Sequence, residues 1–336
     1  MRVLERLDRL AELGDRIGYS PQEDAAHGLA ATWFREAGLE VEVDAGGNLI
    51  GRIPGGAREV WTGSHLDTVP AGGRFDGALG VVAGLEAVER LGLPGLGVAA
   101  FRDEERGCAG SRARIASGSV PDAFLELHVE QGPRLLRAGA PLAVVTAIVG
   151  YSRQTVTVTG RAGHAGTTPM ADRDDALCAA AERILAIRDA ALLVPDGVAT
   201  VGTLTVEPGG VNVIPGAVTF TVDVRAPDRE RLDELLAAIG LEPGRGTEPA
   251  VMDASVLAAA RAALEELGLP AVELASGAGH DAGILASAGV PSGMLFVRSL
   301  NGGISHDPAE LTSEEDIALA TDALQRALRH LVFQEH

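Results

Sequence analysis

"EVWTGSHLDTVPAGGRFDGALG", Glu59 to Gly80, places an apolar run, a loop holding one histidine and two aspartates among glycines, and the start of an amphipathic stretch in direct succession. A short apolar run followed by helical periodicity is the repeating unit of an α/β sheet. In an open sheet of that kind, ligands collect outside the carboxyl ends of the strands. The loop is therefore either a polar turn or one half of a metal site.

The pattern extends in both directions. Upstream, Ser20 as N-cap, Pro21 at the first helical position and Glu23 three residues after the cap predict a helix from about Pro21 to Ala37, stopped at Gly38. "LEVEVDAGGNLIGRI" alternates around Gly-Gly-Asn as a hairpin. Downstream, a helix over about Gly77 to Leu91, the run "LGVAAF", a short helix near Ser111 and the run "AFLELHV" continue the α/β alternation. Around Gly150 the period changes to strict alternation in "RQTVTVTG", "VATVGTLTV" and "AVTFTVDVR", with helices near Asp174 to Asp189 and Arg229 to Ile239. That predicts a separate α+β unit with one solvated sheet face. "LEPGRGTEPA" reads as its exit linker, after which a helix over Ser255 to Leu267, "AVELAS", a helix near Asp281, "GMLFV" and a C-terminal helix resume the first pattern. The expected fold is α/β: an open, mostly parallel sheet forming a discontinuous catalytic domain over 1–148 and 252–336, with a smaller α+β domain over 149–251 inserted into it.

Composition removes several functions. The 336 residues carry 28 basic and 47 acidic side chains, a net charge of −19, which repels nucleic acid and anionic membrane surfaces. Every basic residue is arginine, so a Schiff-base enzyme and a phosphate-loop ATPase, each needing lysine, are excluded. Cys108 and Cys178 form no CxxC pair, and "MRVLERLDRLAELG" is a charged amphipathic helix with no signal-peptide core. These features predict a cytoplasmic protein with no membrane span.

Three apolar runs end in metal-capable side chains: "EVWTGSH" in His65, "GVAAFRDEE" in Glu104 and Glu105, and "AFLELH" in His128. Asp76 stands where a helix opens, and His306 lies in the glycine-flanked loop "GGISHDP". Histidine and carboxylate ligands without thiolates suit zinc, manganese, cobalt or nickel, and five of them suffice for two ions sharing one carboxylate. An adjacent Glu-Glu pair can then divide its labour between ligand and general base. Taken singly, each element has a plainer reading. The His-x-Asp could cap a turn, Glu104-Glu105 could be a solvated strand end, His164 could orient a turn and His280-Asp281 could cap a helix. His27, His330 and His336 receive no role. Gly72 and Gly73 are expected to let the loop turn back so that Asp76 faces the same ions as His65.

"GSHLDTVPAGGRFDGALGVVAGLEA", "RDEE", "ELHVEQGP", "GRAGHAGTTPM", "VNVIPG", "VDVR", "SGAGHDA" and "GISHDPAE" together resemble the dinuclear-metal amidohydrolases of the M20 peptidase clan, in the branch of N-carbamoyl-L-amino-acid and allantoate amidohydrolases. The resemblance implies two divalent ions per subunit, one held by His65 and His128, the other by Glu105 and His306, with Asp76 bridging them. It implies Glu104 as general base, Asp67 as the orienter of His65, and Gln131, His164, Asn212, Arg225 and Gly279 around a small ureido-acid substrate. Arg225 would bind a carboxylate and His164 an oxyanion. The inserted domain would be a lid and dimerisation domain of a homodimer, closing about hinges near Gly150 and Glu248. The implied reaction is hydrolysis of the ureido C–N bond of an N-carbamoyl-L-amino acid. Alternatives are an allantoate or ureidoglycolate-type amidohydrolase, an amidase or aminopeptidase of the clan, and a non-catalytic metal-binding homologue. Segments 106–124 and 240–252 are shorter than the family pattern.

Overall fold

Ser20 caps the second helix as its sequence predicts: in the computed structural model, which describes residues 2–334, its side chain accepts the N–H of Glu23 and Pro21 fills the first turn. His336 lies outside the described residues. The chain divides into two units, one made of residues up to Ile148 together with those from Val251 onward, the other of Val149–Ala250.

The first unit begins with α1 (Arg2–Ala11) and α2 (Pro21–Glu36), followed by the hairpin of β1 (Glu40–Val43) and β2 (Leu49–Arg52). The Asp44 carboxylate closes the hairpin turn by accepting the N–H groups of Gly46 and Asn48. Then come β3 (Val60–His65), α3 (Ala78–Leu91), β4 (Leu96–Phe101), α4 (Ala109–Ser117), β5 (Ala123–Val129), α5 (Arg134–Ala138) and β6 (Leu142–Ile148). Strand β6 was not anticipated, because its apolar run abuts the change of period at Gly150.

The second unit contains β7 (Gly150–Thr159), β8 (Gly163–His164), α6 (Ala176–Ala191), β9 (Val198–Glu207), β10 (Val213–Ile214), β11 (Ala217–Ala226), α7 (Arg229–Ala238) and β12 (Arg245–Thr247). Its antiparallel sheet runs β12-β7-β11-β9. Val156, Val218, Phe220, Val222 and Val224 pack with Ala180 and Ile187 of α6 and Leu232 and Leu235 of α7 in one core. The alternate positions, among them Arg153, Thr155, Thr219, Thr221, Asp223 and Arg225, stand on the other face, as period-two side chains must. The expected exit linker is corrected: Arg245–Thr247 pair with Tyr151–Arg153 as an edge strand. Three ladder positions, all exposed, leave no alternation to read.

After β13 (Ala250–Val251) the chain adds α8 (Ala254–Glu266), β14 (Glu273–Ser276), α9 (Asp281–Ser287), β15 (Ser292–Val297) and α10 (Glu314–Val332) to the first unit. The sheet there runs β1-β2-β4-β3-β5-β15-β6, with β14 also on β6. Strands β4, β3, β5 and β15 are mutually parallel, while β2 and β6 flank them antiparallel. Strands β3, β4, β5 and β15 are buried at every position, which is why they read as continuous apolar runs. Register sets the chemistry. His65 pairs with Phe101, so Glu104 and Glu105 follow just beyond it, and Gly63 pairs with Glu126, which brings His128 level with His65. Among the described residues, no helix is long and apolar enough to cross a membrane.

Candidate metal centre

The carboxylate of Asp76 stands between three histidines of the first unit. Its Oδ1 lies 3.7 Å from His65 Nε2 and 3.1 Å from His128 Nε2. Its Oδ2 lies 3.5 Å from His306 Nε2, which is 3.4 Å from Glu105 Oε2. Two candidate ligand groups meet at Asp76, His65/Asp76/His128 and Asp76/Glu105/His306, and a third, Glu126/His128/His280, shares only His128 with them. Glu104 Oε2 is 3.9 Å from His65 Nε2. All of these side chains except Glu105 and His306 are buried.

Second partners orient the two buried rings. His128 Nδ1 is 2.9 Å from the Val129 carbonyl oxygen, and His65 Nδ1 is 3.1 Å from the Asp67 carbonyl oxygen. A carbonyl can only accept, so each Nδ1 carries a proton and Nε2 is the nitrogen turned toward Asp76. His128 Nε2 is buried without a hydrogen-bond partner, facing a carboxylate oxygen. A ring nitrogen opposed to a carboxylate in a buried site calls for positive charge between them, a proton or a metal ion. The titration behaviour agrees. Burial opposes charge on His65, but Glu104, Asp67 and Asp76 hold its pKa well above the ordinary imidazole value. Burial likewise opposes charge on His128, and Asp76 pushes it up to about 9. Asp76, despite burial, is held far below the usual carboxylate range by His128, His65 and His306. Burial raises Glu104 well above it and raises Glu105 as well. In the apoprotein protons supply the positive charge that divalent ions would supply, and the nitrogen and oxygen donors fit zinc or manganese.

The loop between His65 and α3 differs from its expected design. Neither Gly72 nor Gly73 has a positive φ; the left-handed residues are Ala71, at φ 52°, and Gly77, at φ 62°. Gly77 caps α3 without a side-chain bond, so Asp76 turns its carboxylate toward the histidines instead of opening the helix itself. A Cβ on Gly77 would lie 2.4 Å from Cε1 and Nε2 of His65, inside the space the ring occupies. Gly77→Ala is expected to lower stability by about 1–3 kcal/mol and to reduce metal content. Denaturant midpoints and metal analysis check this, and wild-type values for both would refute it.

Asp67 holds more than the His65 ring. Its Oδ1 is 3.3 Å from His65 Nδ1, and its two oxygens also accept the N–H groups of Glu104 and Glu105, at 3.0 and 3.1 Å. One buried carboxylate thus ties the end of β3 to the glutamate pair. Gln131, at φ 56°, donates from Nε2 to Asp76 Oδ2 at 2.8 Å. Gly279 precedes His280, whose ring centroid is 4.5 Å from that of His128. The helix-capping reading of His280-Asp281 fails, since His280 makes no side-chain cap to α9 and bonds Ser276 Oγ instead.

Within the second unit, β8 and β10 pair His164 with Val213, and Ala165 N–H donates to the Asn212 carbonyl, so His164 and Asn212 are neighbours. His164 Nδ1 accepts the N–H groups of Gly166 and Thr167, at 3.0 and 3.2 Å, which leaves the proton on Nε2. Arg225 donates from Nε to Asp223 Oδ1 at 2.8 Å, and its guanidinium lies 5.9 Å from the Tyr151 ring centre.

Sequence reading passed over three residues that organise the centre. Glu126, fully buried on β5, accepts Ser64 Oγ at 2.6 Å and Ala282 N–H at 2.8 Å, tying β3 to α9. A glutamate within the apolar "AFLELHV", two residues before His128 and on its face, was the available signal. Ser305 and Glu310 flank His306 and bond Asp76; nothing in "ISHDPAE" separates them from ordinary loop polarity.

Residues 61–330 match peptidase family M20/M25/M40, and the chain belongs to that family of hydrolases. It is 37% identical to the N-carbamoyl-L-amino acid amidohydrolase of Geobacillus stearothermophilus, over 99% of this chain and 98% of that one. To the allantoate amidohydrolase of Bacillus subtilis (strain 168) it is 34% identical, over 95% and 92%. A solved amidase of the hydantoinase/carbamoylase family from Burkholderia multivorans superposes with a TM-score of 0.88 at 32% identity, over 97% of this chain and 96% of that one. The first alignment spans 405 positions against 336 residues here, so that relative carries segments this chain lacks.

Proposed function

We propose that this chain hydrolyses the ureido C–N bond of an N-carbamoyl-L-amino acid, using two divalent ions shared by Asp76. The observation that carries the reading is the division of Asp76, with Oδ1 toward His65 and His128 and Oδ2 toward His306. His65 and His128 would hold one ion and Glu105 and His306 the other. When bound, such a pair polarises a carbonyl and lowers the pKa of water. The chain's own residues do the rest. Glu104 takes the proton of the attacking water and delivers it to the departing nitrogen, and its burial-raised pKa suits both transfers. Asp67 keeps Glu104 and His65 in register. Arg225 pairs with the substrate carboxylate, Asn212 and Gly279 border the substrate, and His164 offers its Nε2 proton to the oxyanion as the C–N bond breaks. Gln131 donates to Asp76 and borders the substrate.

The same residues would serve allantoate, and the greater identity to the carbamoyl-amino-acid relative favours that substrate. A panel of N-carbamoyl-L-amino acids and allantoate, assayed for ammonia release after separate reconstitution with zinc, manganese and cobalt, tests the reading. Two bound ions without ammonia from any ureido acid would sink it. The second unit serves as lid and dimerisation domain in this proposal. Leu192 and Leu193 on it are 78% and 83% exposed in the single chain, the kind of apolar surface a partner subunit covers. Cys108 and Cys178, both free, suit a reducing cytoplasm.

A further inference from the structure

Glu310 belongs to neither ligand group, yet it reaches the residue that both share. It sits at the closing end of a loop pinned by Leu300 N–H to the Leu311 carbonyl at 2.7 Å and by Asn301 Nδ2 to the Ala309 carbonyl at 2.8 Å. From there its buried carboxylate points at the loop 234 residues earlier in the chain. Oε2 accepts the N–H of Phe75 at 2.9 Å and of Asp76 at 3.2 Å. Oε1 lies 3.4 Å from Ser305 Oγ, and that hydroxyl also reaches Asp76 Oδ2 at 3.2 Å. The Asp76 loop makes room for it, because a Cβ on Gly73 would lie 2.1 Å from Glu310 Oε2.

Resting on the dinuclear reading above, we propose that Glu310 is the positioning residue that couples the two ion positions. It holds the Asp76 peptide directly and, through Ser305, holds the Asp76 carboxylate and the loop that presents His306. The two oxygens have separate duties: Oε2 accepts two peptide N–H groups, and Oε1 shares with Asp76 Oδ2 the single proton of the Ser305 hydroxyl. A glutamine could keep the peptide with its amide oxygen and turn its NH2 to the Ser305 oxygen, whereas alanine removes both contacts, so Glu310→Ala is the variant that tests them. Outer partners of metal ligands matter in proportion to how firmly they fix the ligand, and this one fixes a ligand common to both ions.

The test uses the full chain loaded with Mn(II). Binding isotherms give stoichiometry and affinity, and electron paramagnetic resonance distinguishes an exchange-coupled Mn(II) pair from isolated ions, a signature that a purely structural role for Glu310 would leave unchanged. Wild type is expected to bind two ions and show the coupled spectrum. In Glu310→Ala, with circular dichroism showing a folded chain, both dissociation constants should rise by about 10–100-fold and the coupled spectrum should give way to that of isolated ions. Wild-type affinities with the coupled spectrum intact overturn the inference. If Glu310→Ala does not fold, Ser305→Ala carries the test: weaker binding with diminished coupling supports the inference, and unchanged binding and spectrum overturn it. A wild type that binds a single ion defeats the dinuclear reading and the coupling with it, so wild-type stoichiometry tells the two failures apart.

Discussion

Asp76→Asn is expected to strip both ions from the protein and abolish ureido-acid turnover. The substitution preserves shape and removes charge, and here the charge is what the three histidines share. Oδ1 faces His65 and His128, and Oδ2 faces His306, so no other side chain replaces either oxygen. The loss should exceed the factor of about 100 in affinity that removal of a ligand's outer partner costs. Its neighbours fix the outcome: Gln131 and Ser305 direct hydrogen bonds at Oδ2, so the amide keeps its oxygen there and turns toward His65 and His128 an NH2 that cannot bind a metal ion. Metal analysis after dialysis, with ammonia release in parallel, checks the expectation. Two ions per chain retained in Asp76→Asn would show that the carboxylate is not shared.

Glu104→Gln is expected to keep both ions and lose turnover, with kcat falling by a factor of about 10²–10⁴ and KM little changed. Glu104 stands outside both ligand groups, while its Oε2 lies 3.9 Å from His65 Nε2, near enough to serve a water held there. The amide cannot take up a proton at neutral pH, so the variant separates the base from the metal site. Its backbone N–H still reaches Asp67, which keeps the side chain in place and makes the comparison clean. Near-wild-type kcat in a fully loaded variant would remove Glu104 from the mechanism.

These predictions concern residues visible in the sequence, and the reason is specific. His65, Glu104, Glu105 and His128 each end an apolar run, and in a parallel sheet such ends gather at one edge, so strand order need not be known to place them together. His306 and Asp76 were legible from their glycine-flanked loop and helix start. The change to strict alternation near Gly150 falls where the second unit begins. What stayed hidden was held by contacts between distant segments. The Asp67 bonds to the glutamate peptides, the Glu126 tie to α9 and the reach of Glu310 to Asp76 each join residues tens to hundreds of positions apart. The glycines of the Asp76 loop were misread for a related reason. Gly73 makes room for Glu310 and Gly77 for the His65 ring, and neither neighbour is near enough in the sequence to suggest it.

Local chemistry and periodicity were thus sufficient for the α/β class and pointed to the inserted unit and the histidine and carboxylate set, because strand burial and ligand type are properties of short segments. Which oxygen of Asp76 faces which histidine, which imidazole nitrogen keeps its proton, and which buried carboxylates hold the loops in place were settled by packing in three dimensions. Those features depend on side chains brought within about 3 Å of one another, the range over which a hydrogen bond acts, and no spacing along the chain encodes that distance.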